Sequence, residues 1–173
     1  WLRFARYLSQ DYRVIALDLP GFGASDKPAG SYDVGTQTER LASVIDALGI
    51  EQLHLIGNSM GGHISALYAA RYPHRTLSLA LLDNAGITSP HPSELMQRLQ
   101  RGEPNPLVVK SPEDFQRLLD FIFVQPPYLT ESLKRYFAEQ AIANSAQYDQ
   151  VFVHLIERYI PLEPELPKIQ APT

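Results

Sequence analysis

Apolar positions along the chain fall into two periods, and they alternate. Residues 12–18 (YRVIALD), 53–56 (LHLI) and 76–82 (TLSLALL) are short β-branched and aliphatic runs of the kind that forms buried strands. Between them the spacing becomes helical. Leu41, Val44, Ile45 and Leu48 predict a helix over 37–48, with Gly49 as its C-terminal cap. A second helix is predicted over 60–72 and is stopped by Pro73. Residues 19–30 hold Pro20, Gly21, Gly23, Pro28 and Gly30 and read as a loop. At the start, Trp1, Leu2, Ala5 and Leu8 would share one face of an amphipathic helix. Strands alternating with helices across short connections predict an α/β unit with a parallel sheet and helices on its faces.

After Asn84 the strand pattern stops. Residues 92–100 predict a short helix. Ser111-Pro112-Glu113-Asp114 is a helix start, followed by the apolar face Phe115, Leu118, Leu119, Ile122 and Phe123. Pro126-Pro127 breaks it, and Thr130 caps a helix carrying Leu133, Tyr136, Phe137 and Ala141. A last helix carries Tyr148, Val151, Phe152, Leu155 and Tyr159. The expected organisation is a partial α/β core over 1–88, a helical insertion over 89–160 that caps the strand ends, and a return segment over 161–173. Pro161, Pro164 and Pro167 stiffen that return, and Ile169 to Thr173 reads as the approach to another strand. Beginning inside a helix and ending before a strand, the chain is expected to be an internal piece of a longer protein, truncated at both ends.

Composition narrows the classes. The chain has 173 residues, 45% apolar and 20% charged, as in ordinary globular proteins. A net charge of −4 without a basic stripe argues against a nucleic-acid partner. There is no cysteine, hence no disulfide, thiolate metal site or cysteine nucleophile. No apolar run is long enough for a membrane span. The compartment is left open, with a membrane anchor on an N-terminal segment as one alternative and a cytoplasmic protein as the other.

The chemistry concentrates at 57–61. Gly57-Asn58-Ser59-Met60-Gly61 fits G-x-S-x-G, the nucleophile-elbow pattern, between a predicted strand and a predicted helix. Such a turn holds a serine in strained backbone and projects its hydroxyl above the sheet. Glycines two residues before and after, here Gly57 and Gly61, would let strand and helix pass closely. The helix that follows aims its N-terminal amides and positive dipole end at the reaction centre. The bland alternative is a structural turn with an inert serine.

Three stretches together, residues 18–28 (DLPGFGASDKP), 57–73 (GNSMGGHISALYAARYP) and 82–86 (LDNAG), resemble the α/β-hydrolase superfamily, and within it the bacterial lipase and monoacylglycerol-lipase-like enzymes. The resemblance implies an α/β-hydrolase fold and a serine hydrolase cleaving carboxylic esters of lipid-like acyl groups. Ser59 would be the nucleophile, and the Met60 backbone N–H one half of the oxyanion hole. The other half would precede Trp1; the usual acid and the histidine would follow Thr173. No cofactor is implied, and the partners are a small-molecule ester or lipid and, as an alternative source of substrate, a membrane surface. The 173 residues by themselves are expected to be inactive. Other serine members of the superfamily, carbon–carbon bond hydrolases and thioesterases, remain as alternatives, as does a non-catalytic binding module on the same fold.

Other candidates are weaker. Asp83 ends a predicted strand where some superfamily members carry their acid, but a turn residue capping the loop with Asn84 is favoured. His63, one turn past Ser59, could line the site, although a packed or solvated histidine is favoured. His54, His74, His91 and His154 fall in a strand, turns and an insertion helix, and their spacing makes no metal set. Gly21-Phe22-Gly23 lacks the third glycine of a dinucleotide loop. Phe115, Phe121, Phe123, Tyr128, Tyr136, Phe137 and Phe152 could line an acyl pocket, but most are expected to form the core between the insertion helices.

Overall fold

The computed structural model describes residues 1–173. Its first half is a parallel pair of strands, β1 (Leu53–Asn58) and β2 (Thr76–Leu82), joined through α3 (Met60–Arg71). The register sets Leu53 beside Thr76 and Asn58 beside Leu82. Helix α3 is buried without interruption from Gly62 to Ala70. A helix apolar around its whole circumference belongs inside a core, and α3 lies against both strands and against α2 (Val34–Ala47). Val34, Ala42, Ile45, Leu55, Ile64, Leu67, Tyr68 and Leu79 form the main core. Helix α2 begins at Asp33, whose carboxylate accepts the Thr36 N–H at 2.9 Å and the Thr36 hydroxyl at 2.8 Å. It ends at Leu48, with Gly49 at φ 65 and Ile50 N–H returning to the Ile45 carbonyl at 3.1 Å.

Residues 12–18 depart from the expected strand. They are extended, but none of residues 13–18 donates or accepts a backbone–backbone hydrogen bond, and Val14, Ile15 and Leu17 are exposed. The sheet is therefore two-stranded. An apolar run supplies a face to bury, whereas a strand also needs a ladder partner, and no neighbour in the chain supplies one. The start of the chain is helical, as its spacing predicts, but the helix has nothing to bury against. Helix α1 (Leu2–Leu8) forms but buries no residue, and Leu2 is 86% exposed.

The second half is helical: α4 (Glu94–Gln100), α5 (Pro112–Ile122), α6 (Glu131–Ala143) and α7 (Ser145–Glu157). Ser93, Ser111 and Thr130 cap the first three through side-chain oxygens that accept N–H groups three residues on. Val109, Phe115, Leu119 and Ala138 make a separate small core. The aromatic residues are corrected here. Phe115 is buried, but Phe123, Tyr128, Tyr136 and Phe137 are exposed, along with Ile122, Val124 and Leu133. Helix α6 presents two apolar faces. Ala138, Ala141 and Ile142 pack inward, and Leu133, Tyr136 and Phe137 lie outward.

Several joints tie the halves together. Phe22 stacks on Tyr148 with ring centres 5.5 Å apart. The Tyr32 N–H donates to His154 Nδ1 at 3.1 Å, and the two rings stack. Where the helical segment leaves and returns, Leu162 N–H donates to the Gly86 carbonyl at 2.8 Å and Thr88 N–H to the Glu163 carboxylate at 2.5 Å. Leu162 is fully buried in the main core. Beyond it, Leu79 N–H donates to the Pro172 carbonyl at 2.9 Å, so the return segment meets the outer edge of β2. No helix is long and apolar enough to cross a membrane.

Candidate functional site

Ser59 sits in the single-residue turn between β1 and α3, with φ 52 and ψ −122. That conformation is costly for an L-residue, on the order of 1–3 kcal/mol, and persists only where the surroundings impose it. The surroundings are identifiable. Ser59 N–H donates to the Leu82 carbonyl at 3.1 Å, and Asn58 Nδ2 donates to the same oxygen at 3.0 Å. The Ser59 carbonyl accepts three N–H groups, from Gly62 at 3.0 Å, His63 at 3.1 Å and Ala85 at 3.1 Å. The side chain is exposed and its hydroxyl makes no hydrogen bond within the chain. The Met60 N–H opens α3, so no intrahelical acceptor exists for it, and no cap bond uses it. An unengaged hydroxyl thus stands beside an unengaged amide at the positive end of a buried helix.

The glycines divide their roles differently from the sequence expectation. A Cβ on Gly57 would lie 2.6 Å from the Gly61 carbonyl carbon and from the Gly62 Cα, so strand and helix touch there. A Cβ on Gly61 would meet nothing within 4 Å. The second close approach belongs to Gly62, whose added Cβ would lie 2.6 Å from the Asn84 Cβ. Gly61 contributes its backbone to the contact, and Gly62 admits the turn after β2.

Asp83 stands in that turn. It is exposed, its carboxylate has no hydrogen-bond partner, and its φ is 46. Ser59 and Asp83 are the only non-glycine residues with positive φ, and they follow neighbouring strands directly. The loop is not capped by the Asp83 side chain; Asn84 Nδ2 donates to the Ala85 carbonyl instead, at 3.0 Å.

No histidine side chain bonds Ser59. His63 is fully buried and its Nε2 bonds the Ile160 carbonyl at 2.8 Å, with Tyr159 edge-on at 5.8 Å. Its Nδ1 has no partner. Burial pushes the His63 pKa down, against the pull of the Ile160 carbonyl and the Glu163 charge. It is the packed histidine of the two readings. His54 bonds the Ser78 hydroxyl at 2.7 Å on the sheet, and His154 serves the α7 joint. The Ala85 N–H contact with Ser59 was outside the reach of sequence motifs, because it joins two strand ends by backbone alone.

Comparison with known proteins agrees with this geometry. The family model described as alpha/beta hydrolase fold matches residues 1–159. Lipase 1 of Psychrobacter immobilis is 43% identical over 144 residues, covering 82% of this chain and 45% of that protein. The monoacylglycerol lipase ABHD6 of Mus musculus is 26% identical over 185 residues, covering 100% of this chain and 55% of that protein. A crystal structure described as a membrane phospholipase A and bacterial virulence factor superposes with a TM-score of 0.97 at 64% identity, covering 100% of this chain and 56% of that one. The chain spans about half the length of the curated relatives it matches. With strand, strained serine, buried helix and second strand arranged as described, the chain belongs to the alpha/beta hydrolase fold family.

Proposed function

We propose that the protein carrying this chain is a serine hydrolase that cleaves carboxylic esters of lipid-like acyl groups through an acyl-enzyme. One observation carries the reading: Ser59 is held left-handed at a strand–helix turn with its hydroxyl unengaged and the Met60 N–H free beside it. In this reading 89–160 is a cap domain inserted into the 1–88 core, and 161–173 returns the chain to it. A histidine takes the Ser59 proton as Oγ attacks the ester carbonyl, and a carboxylate holds that histidine in the right tautomer. No histidine of the chain bonds Ser59, so in this reading the base, and the carboxylate that orients it, are taken from outside these 173 residues. The Met60 N–H is one of the donors that stabilise the tetrahedral oxyanion. Collapse of that intermediate expels the alcohol with the proton held by the histidine, and water then releases the acid.

The lipid-like substrate class has two supports. Relatives are named as lipases and a solved neighbour is described as a membrane phospholipase A. The helical segment also leaves Phe123, Val124, Tyr128, Tyr136 and Phe137 uncovered, an apolar surface suited to acyl chains. The reading extends to a membrane surface as the source of substrate. The test is turnover of p-nitrophenyl esters of graded acyl length by the native gene product and its Ser59→Ala variant. Medium and long acyl esters should be preferred, and the variant should lose at least about a thousandfold in kcat. A strong preference for acetyl esters would reject the lipid-like class, and unchanged turnover in the variant would reject Ser59.

A further inference from the structure

Asp83 is the one site candidate whose carboxylate the geometry leaves idle, and its backbone is the unusual part. We infer that the turn Asp83–Gly86 is a backbone brace that aims the Met60 N–H, and that Asp83 works as a positioning residue through its left-handed conformation and not through its carboxylate. The inference rests on the serine hydrolase reading of Ser59.

The Ser59 carbonyl and the Met60 N–H belong to the same trans peptide, so they point in opposite directions. Whatever holds the carbonyl fixes the amide. Two of its three donors, Gly62 and His63, belong to the first turn of α3 and would be present at any helix start. The third, Ala85 N–H at 3.1 Å, comes from the neighbouring strand's end. It pins the plane from outside the helix, so the plane cannot tilt as α3 frays. On the other side of Ser59, its own N–H is held by the Leu82 carbonyl at 3.1 Å. The peptides flanking the serine are thus both bonded to residues 82–85.

Reaching both partners from one strand end needs a sharp reversal. The chain makes it with Asp83 at φ 46 and Gly86 at φ 101. Aspartate, asparagine and glycine tolerate that region best, and β-branched residues tolerate it worst. The turn is also seated from below. The Asn84 Cβ occupies the space where Gly62 lacks one, and a Cβ on Gly86 would lie 2.6 Å from the His63 ring. The histidine of the proposed mechanism is not among these residues, so the charge of Asp83 and its backbone conformation are separated by substitution.

The experiment measures kcat and KM on one p-nitrophenyl ester for the native gene product and for Asp83→Asn, Asp83→Gly, Asp83→Val and Ala85→Pro. Asn and Gly keep the turn and remove the charge, so both should stay within about threefold of wild type. Val strains the turn, and Pro deletes the donor. Each should lower kcat roughly 10- to 100-fold with KM within about threefold, part of the cost of losing an oxyanion donor outright. Circular dichroism identifies a variant that fails to fold; whichever of Asp83→Val and Ala85→Pro folds tests the brace, and the Asn and Gly variants test the carboxylate. A folded Asp83→Asn that loses a thousandfold overturns the brace, because the carboxylate would then be needed. Wild-type kcat in folded Asp83→Val and Ala85→Pro overturns it too. A wild type without Ser59-dependent turnover overturns the hydrolase reading, and the brace with it, by a pattern distinct from either.

Discussion

Gly57 and Gly61 flank the same serine two residues away, yet the space around them differs. At Gly57 a methyl group would press on the Gly61 carbonyl carbon and the Gly62 Cα at 2.6 Å, and backbone on both sides cannot step aside. At Gly61 a methyl would enter open space inside the first turn of a helix. Gly57→Ala should therefore destabilise the fold, whereas Gly61→Ala should leave the stability unchanged or raise it by up to about 1 kcal/mol of helix propensity. Equal losses in the two melting curves would contradict the division of roles. Sequence alone made the pair look equivalent, because the motif records only spacing. Gly62 carries the other close contact, with Asn84, and that contact depends on where β2 ends.

Asp33 and His63 give two elements a pH dependence of the same sign. At Asp33 burial raises the carboxyl pKa, but hydrogen bonds from Ser31 and Thr36, with the Arg158 charge 3.8 Å away, bring it below the ordinary value. A folded-state pKa below the unfolded one gives α2 stability that is full above about pH 4 and is lost as pH falls through the folded value. Asp33→Ala should cost about 1 kcal/mol at neutral pH, and the gap to wild type should close in acid denaturation curves. At His63 burial depresses the pKa, so the unfolded chain takes up its proton first. Stability should fall as pH drops below about 6.5. His63→Gln keeps a donor for the Ile160 carbonyl and should flatten that slope; an unchanged slope would assign it to another group. Helices, caps and the two paired strands were legible in sequence because their signals are local. Ser111 and Thr130 cap where their spacing puts them. Residues 12–18 were not legible as unpaired, since an apolar run carries no information on whether a ladder partner exists in the chain.

As a whole the molecule is a small α/β core and a helical segment with separate apolar clusters, joined at a few points. The Phe22–Tyr148 stack is one of them, and Phe22→Ala should loosen α7 and raise its amide hydrogen exchange while that of α3 stays slow. Persistent protection across α7 would show that the other joints suffice. The 173 residues alone bring no histidine to the Ser59 hydroxyl, with His63 locked on Ile160. They should give neither burst nor turnover with an activated ester, and Ser59-dependent turnover by the isolated chain would refute this. The family and the elbow-like turn were readable from the motif and its flanks, whereas the uncovered aromatic surface of α5 and α6 was not, because helical periodicity does not tell which of two apolar faces finds a neighbour. The most direct test is labelling of the native gene product with a fluorophosphonate, followed by peptide mapping. Phosphonylation should be rapid at Ser59 and absent in Ser59→Ala. An unlabelled wild type, or labelling mapped to another residue, would contradict this and leave a hydrolase fold whose serine is only a turn.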